Sequence, residues 1–412
     1  MRVNDFPGSS IASDSAQQLP APDAQAQAHS EQLIALIADE IAAAGGRISF
    51  ARYMELALFA PGLGYYSAGT SKFGAQGDFV TAPEISPLFS RTLARQVAEV
   101  LESIENGEVL EVGGGTGAMA AEMLAELEAL NALPTRYAIL ELSADLQARQ
   151  RDTLAARVPH LLERVQWLTA LPAAGFRGVI VANELLDALP VHCFRITDEG
   201  PRERCVGFED GRFQWVEGVA ENDGAGEWQA QLPEHLTQVI SGLPVGYESE
   251  VNLAAVAWVR SIASLLDVGV VLLIDYGHSG AEYYHPQRNR GTLMCHYRHR
   301  AHDDPFVYPG LQDITAHVDF TAIAEAAVAA GLDVRGYNTQ GFFLLANGLT
   351  ELVSQEESNE QQREKQQIVQ AQQIRTLTMP TEMGERFKVI ALARNFDAPL
   401  RGFALQDLRS RL

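Results

Sequence analysis

The segment Glu111-Val-Gly113-Gly-Gly115-Thr-Gly117-Ala118 runs from a short apolar stretch, Val109–Val112, into a series of strong helix formers ending near Leu130. Glycines there let the backbone turn sharply and approach a ligand closely. The helix start adds free N–H groups and positive dipole character. Gly113-x-Gly115-x-x-Ala118 also fits the dinucleotide fingerprint. Glu111 favours S-adenosyl-L-methionine (SAM) over NAD, because a carboxylate just before the loop meets an ammonium and repels a pyrophosphate. The Gly-x-Gly-x-Gly spacing through Gly117 agrees. Glu141 closes the next strand pattern, Tyr137–Leu140, roughly 20 to 25 residues beyond the loop, where a carboxylate accepts ribose hydroxyls. That acid suits either cofactor. A glycine turn without a ligand is the bland alternative.

Three further clusters carry reactive side chains. Asn183-Glu184-Leu-Leu-Asp187-Ala-Leu-Pro190 follows the apolar run Val179–Ala182. At the carboxyl edge of an open α/β sheet, such residues face the ligand crevice. Asn183 is a candidate cofactor contact, and Glu184 and Asp187 are the first catalytic candidates; capping by Asn183 is the alternative. Asp275-Tyr276-Gly277-His278 follows the most apolar run, Gly269–Ile274, and can orient an acceptor or take its proton. A satisfied strand-end cluster is the alternative. Asp78 and Thr81, in Gly77-Asp78-Phe79-Val-Thr81, are candidates to close over the cofactor and exclude water; a capped turn would look the same. His296, His299 and His302 beside Cys295 match no zinc spacing, and their arginine neighbours oppose a divalent ion, so no metal is expected. Arg288, Arg290, Arg298 and Arg300 suggest instead a loop touching an acidic part of a partner.

Repeated strand–helix alternation predicts a doubly wound, Rossmann-like α/β sheet over residues 91–395. Insertions are expected at about 192–260, opening as a hairpin, and at 343–383, with a solvated Gln- and Glu-rich helix striped by Ile368, Ile374 and Leu377. A helical N-terminal region spans 31–90, and a C-terminal extension spans 396–412. Residues 1–30 are too polar to offset chain entropy and read as a disordered tail. The chain of 412 residues has 31 basic against 53 acidic side chains, a net charge of −22. Such a surface repels phosphate backbones, so no nucleic-acid partner is expected; it attracts a basic peptide. Three unpaired cysteines argue for a reducing compartment. With no apolar run long enough to span a bilayer, no basic leader and no arginine-rich transit pattern, the expected location is cytoplasmic.

Taken together, these blocks resemble the MidA-type SAM-dependent methyltransferases, whose mitochondrial relatives assist assembly of respiratory complex I. The resemblance runs from about Arg47 to Asn395. It is carried by Phe50-Ala-Arg-Tyr53-Met54, Pro61-Gly-Leu-Gly-Tyr65-Tyr66, Gly77–Ser86, the glycine loop, Asn183–Pro190, Asp275–His278 and Asp313–Phe320. It implies a class I methyltransferase fold with an added helical region, SAM as cofactor, and methyl transfer. In the mitochondrial type the acceptor is a protein arginine of a complex I subunit, and that type carries His where this chain has Asn183. A small-molecule acceptor, or an assembly protein that keeps the SAM fold without turnover, are the alternatives.

Overall fold

The computed structural model describes residues 19–68, 81–218, 227–355 and 363–412. Seven strands form the body of its largest sheet: β1 (Glu108–Val112), β2 (Tyr137–Leu140), β3 (Val165–Leu168), β4 (Phe176–Asn183), β5 (Leu266–His278), β6 (Asp333–Thr339) and β7 (Phe387–Arg394). Their order across the sheet is β3-β2-β1-β4-β5-β7-β6. Strands β1 to β5 run parallel to one another, whereas β7 is antiparallel to both β5 and β6. The chain winds outward from β1 to β3 and then returns to the other side of β1, which opens a crevice at the carboxyl ends of β1 and β4.

Alternate side chains of the central strands enter two different cores, as the period of two requires. Val109, Val179 and Leu272 face one core with helices α4 (Pro87–Glu102) and α5 (Ala118–Ala129). Leu110, Ile180 and Leu273 face the other, with the helices Leu253–Leu265 and Phe320–Ala329. Both faces are covered, which is why these strands read as largely apolar runs, interrupted in β1 by Glu111. Ser86 caps α4 and Pro87 opens it, as the sequence suggests.

A second body is assembled from segments far apart in the chain. Arg47–Ser49 pairs antiparallel with Gly200–Glu209, which also pairs with His192–Thr197 and Arg212–Glu217; Glu248–Val251 closes the edge. A smaller sheet joins Arg300–His302, Met294–Tyr297 and Asp313–Thr315. Leu33 and Ile37 of α1 (Ala24–Ala43), Phe50 and Tyr53 of α2 (Phe50–Phe59), Val206, Cys295 and Ile314 share one apolar core.

Several boundaries differ from the sequence reading. Helix α1 starts at Ala24 rather than Glu31, capped by Asp23, and Ser30 is buried with its hydroxyl donating to the carbonyl of Pro309. Thus only residues 1–18 of the expected tail lie outside the described residues. Ile48 sits in a strand, not a helix, because its partner is Val206. The hairpin at His192 is present, but Leu253–Leu265 packs on the main sheet and is no part of an insertion. In the helix Arg363–Thr378, Leu377 is buried while Ile368 is exposed, so the expected apolar stripe packs only at its C-terminal end. The C-terminal segment docks on α4, where Gly402 N–H donates to Gln96.

Candidate functional site

One cavity of about 1490 Å³ runs from the glycine loop, past the ends of β4 and β5, to the second body. That exceeds the few hundred to ~1,000 Å³ usual for one small ligand, so a cofactor and an acceptor group both have room. The cofactor half starts at Gly113, Gly115 and Gly117, with φ of +74°, +51° and +83°, conformations that suit glycine. A Cβ on Gly117 would come within 2.9 Å of Gln150 Cα, so α5 and α6 (Ala144–Arg157) meet through it. Helix α5 begins at Ala118, directly after the loop.

Glu111 is fully buried in the cavity wall. One carboxylate oxygen accepts the Tyr137 hydroxyl, and the other has no partner. Burial is the main cause that pushes this carboxyl up to about 7, against the lowering effect of Tyr137. An orphaned carboxylate oxygen beside a glycine loop fits the ammonium of SAM. Glu141, at the end of β2, accepts Ser143 N–H at 2.9 Å and Gln150 Nε2 at 3.2 Å and lines the same half. Its oxygens retain lone pairs for ribose hydroxyls. Leu142 follows it as a 76% exposed apolar side chain on the cavity wall. Sequence reasoning missed this residue, although an apolar side chain placed directly after the acid was a usable signal. Thr81 lines the cavity just before α3 (Ala82–Ile85), and Asp78 lies outside the described residues.

A pH test follows for Glu111. The form that would meet an ammonium is the carboxylate, which becomes populated as pH rises through about 7 in the cofactor-free protein. SAM affinity is therefore expected to rise between pH 6 and 8 by about tenfold, and to stay flat in Glu111→Gln; titration calorimetry across that range reads it.

The acceptor half is acidic. The chain leaves β4 through Asn183 into Glu184, whose φ of +51° is costly for a residue with a side chain. Glu184 N–H donates to Ile274 O at 2.9 Å, holding that turn on β5. Its carboxylate accepts Asn183 Nδ2 at 3.0 Å and the Ala82 N–H. Burial first, then Asp187, raise it to about 8. Asp187 is raised to about 6 by burial, opposed by the hydroxyl of Tyr276. Tyr66 donates to Asp313 at 2.9 Å, and both line the same half. The sequence offered these two only as parts of longer blocks.

The candidates from the strand-end cluster separate. Tyr276 and His278 line the cavity. Asp275 is 1% exposed and accepts the N–H groups of Leu186 at 2.9 Å, Asp187 at 3.3 Å and Tyr276 at 2.9 Å. It braces the Glu184–Asp187 turn. Asp275→Ala leaves those amides unpaired and is expected to cost about 2–5 kcal/mol, read by denaturant unfolding. His278 Nε2 lies 3.1 Å from His317 Nδ1. Desolvation is the largest cause that pushes them down to about 3 and about 4, so both rings are uncharged at neutral pH. His296 also faces the cavity, on the strand Met294–Tyr297.

A family model described as "Putative S-adenosyl-L-methionine-dependent methyltransferase" matches residues 92–338. The mitochondrial protein arginine methyltransferase NDUFAF7 of Danio rerio is 28% identical over 378 residues, 85% of this chain and 84% of the relative. The Drosophila melanogaster homolog is 29% identical over 403 residues, 87% and 86% of the two chains. A Burkholderia thailandensis protein crystallised with S-adenosyl-homocysteine is 47% identical, with a TM-score of 0.88 over 96% of this chain and 100% of that one. The curated relatives are mitochondrial by name, which overturns the cytoplasmic expectation. Unpaired cysteines report a reducing medium and do not distinguish one such compartment from another. Among the described residues, no helix is long and apolar enough to cross a membrane. With the strand order, the glycine loop and the orphaned acid beside it, these matches make the chain a member of this family of SAM-dependent methyltransferases.

Proposed function

We propose that the enzyme methylates a guanidinium nitrogen of a protein arginine. The observation that carries this reading is the pair of half-buried Glu184 and buried Asp187, which face the cavity with no cationic partner among the described residues. Burial raises both carboxyls because nothing positive sits between them; a bound guanidinium would return them to the charged form. The names of the mitochondrial relatives agree with such an acceptor, and on the family resemblance it belongs to a respiratory complex I subunit.

SAM supplies a methyl group on a sulfonium, which is already electrophilic. In this reading Glu111 holds its ammonium, Glu141 its ribose, and the loop Gly113–Gly117 its backbone approach. Asn183 and Thr81 line the same cavity and are further cofactor contacts in this reading. Glu184 and Asp187 hold the guanidinium, localise its charge and leave one nitrogen free for attack. Bound there, SAM would supply the methyl group to that nitrogen, the sulfur keeping the electron pair of the S–C bond. Glu184 takes the proton released by the nitrogen. Tyr276 orients Asp187, and the uncharged His278 packs beside the acceptor rather than acting as base.

The test uses radiolabelled SAM, purified enzyme and an extract from cells lacking it. Label on a protein, with methylarginine after acid hydrolysis, is the expected result. Label only among small molecules would replace the protein acceptor by a metabolite. No label despite measured SAM binding would favour an assembly protein.

A further inference from the structure

The same cavity that holds the acidic pair also has basic lining residues. Arg288 and Arg386 line it, together with His278 and His317. Arg288 is half-buried, and its Nε donates to the backbone carbonyl of Glu282 at 3.2 Å. Neither arginine has a carboxylate partner among the described residues. In a chain with 53 acidic side chains against 31 basic ones, two arginines on one wall without a carboxylate partner stand out, the half-buried Arg288 more than the exposed Arg386. The acids nearby do not neutralise them. Glu282 lies 4.0 Å from His278 and is half exposed, and Glu385 offers its carbonyl to Lys388. The field of Arg288 reaches both histidines and helps to keep them uncharged.

This wall is braced from outside the main sheet. Glu250, 4% exposed, accepts Thr292 N–H at 2.9 Å and the Tyr283 hydroxyl at 3.3 Å. Thr292 Oγ1 in turn accepts the His317 N–H at 3.0 Å. The segment carrying Arg288 is thus tied to the strand Glu248–Val251 at one side and to His317 at the other. Its segment held in place before binding, Arg288 loses little freedom when a ligand arrives, whereas Arg386 is exposed.

We infer that the acceptor segment carries a carboxylate side chain close to its methylated residue, and that this carboxylate docks on Arg288 and Arg386. The cavity then reads a pair of opposite charges: a cation on Glu184 and Asp187, an anion on the arginine wall. This explains how so acidic a protein can accept an arginine without holding every basic peptide it meets, since polybasic segments place a like charge on the wall. The inference rests on the proposed arginine acceptor for the cation alone; the anion site stands on the unpaired arginines.

The experiment uses synthetic peptides with one central arginine in a neutral background and a single Glu or Gln placed in turn at each flanking position. Transfer of label from SAM and binding to the S-adenosyl-homocysteine-loaded enzyme are both measured, the latter by fluorescence anisotropy. At one or two positions Glu is expected to favour both readings about tenfold over Gln, chiefly through KM. Within Arg288→Gln and Arg386→Gln that Glu-to-Gln ratio should fall below about twofold. Arg386→Glu should make Lys the preferred residue at the same position. Transfer or binding that ignores Glu at every position, or a ratio unchanged in both variants, overturns the anion site. Glu-dependent binding without transfer to any arginine peptide overturns the arginine reading and leaves the anion site standing.

Discussion

Glu184→Gln is expected to lower kcat by about a hundredfold to a thousandfold, while the Kd for SAM stays within about twofold. Gln keeps the shape, and its amide oxygen can still accept the Ala82 N–H that meets the carboxylate in the wild type. It cannot take a proton or balance a guanidinium. Single-turnover transfer and calorimetric binding of SAM separate the two effects. Equal loss of both would make Glu184 a cofactor contact or a structural residue instead. The same variant has a stability signature. The carboxyl is raised in the folded protein to about 8, above its unfolded value, so its contribution is full at low pH and is lost as pH rises through 8. Gln has no such loss. Glu184→Gln should therefore melt above the wild type at pH 9 when no ligand is present, and the gap should close toward pH 5.

Gly115→Val is expected to abolish SAM binding, by at least about a hundredfold, without unfolding the protein. A Cβ at Gly115 meets nothing within 4 Å, so the new side chain enters the cofactor half of the cavity rather than the core. The φ of +51° adds about 1–2 kcal/mol of strain, which a domain of this size tolerates. The readout is thermal protection by S-adenosyl-homocysteine, which for the wild type amounts to roughly 2.7 kcal/mol at a hundred times its Kd. Gly114→Ala is the contrast. Its Cβ would sit 2.8 Å from Ile139 Cγ2, so it should lower stability even without ligand. A Gly115→Val protein still protected by S-adenosyl-homocysteine would remove the glycine loop from the cofactor site.

The main sheet was legible because its signals are local. Val179–Ala182 and Gly269–Ile274 are apolar on both faces, Val109–Val112 is broken only by Glu111, and each is followed within a few residues by the crevice. Glu111 and Glu141 could be placed from spacing alone, since each ends a strand. The second body was not legible for the opposite reason. Ile48 is a strand residue only because Val206 lies opposite it, and nothing near Ile48 in the chain says so. Ser30 reads as tail until Pro309 is present to accept its hydroxyl. The basic wall escaped for the same cause: Arg288 was visible as one of several arginines, but Arg386 lies far along the chain, directly before β7. Asp275 was read as a reactive group because a strand-end acid and a backbone brace have the same sequence pattern; only its three amide donors distinguish them.

The shared core of Leu33, Tyr53, Val206, Cys295 and Ile314 also sets a timetable for the chain as it leaves the ribosome. Its earliest members emerge first and its last follow only after most of the main sheet has been made. At a synthesis rate of roughly 5–20 residues per second, α1 and α2 wait on the order of tens of seconds for their partners. During that interval their apolar faces are open to water. Strands β1 to β5, with the glycine loop, Glu111 and Glu141, are made before Arg288 and Arg386, so a nascent chain has the strands of its cofactor site before the residues of its acceptor wall. Chaperone demand should accordingly concentrate on the first sixty or so residues of the chain.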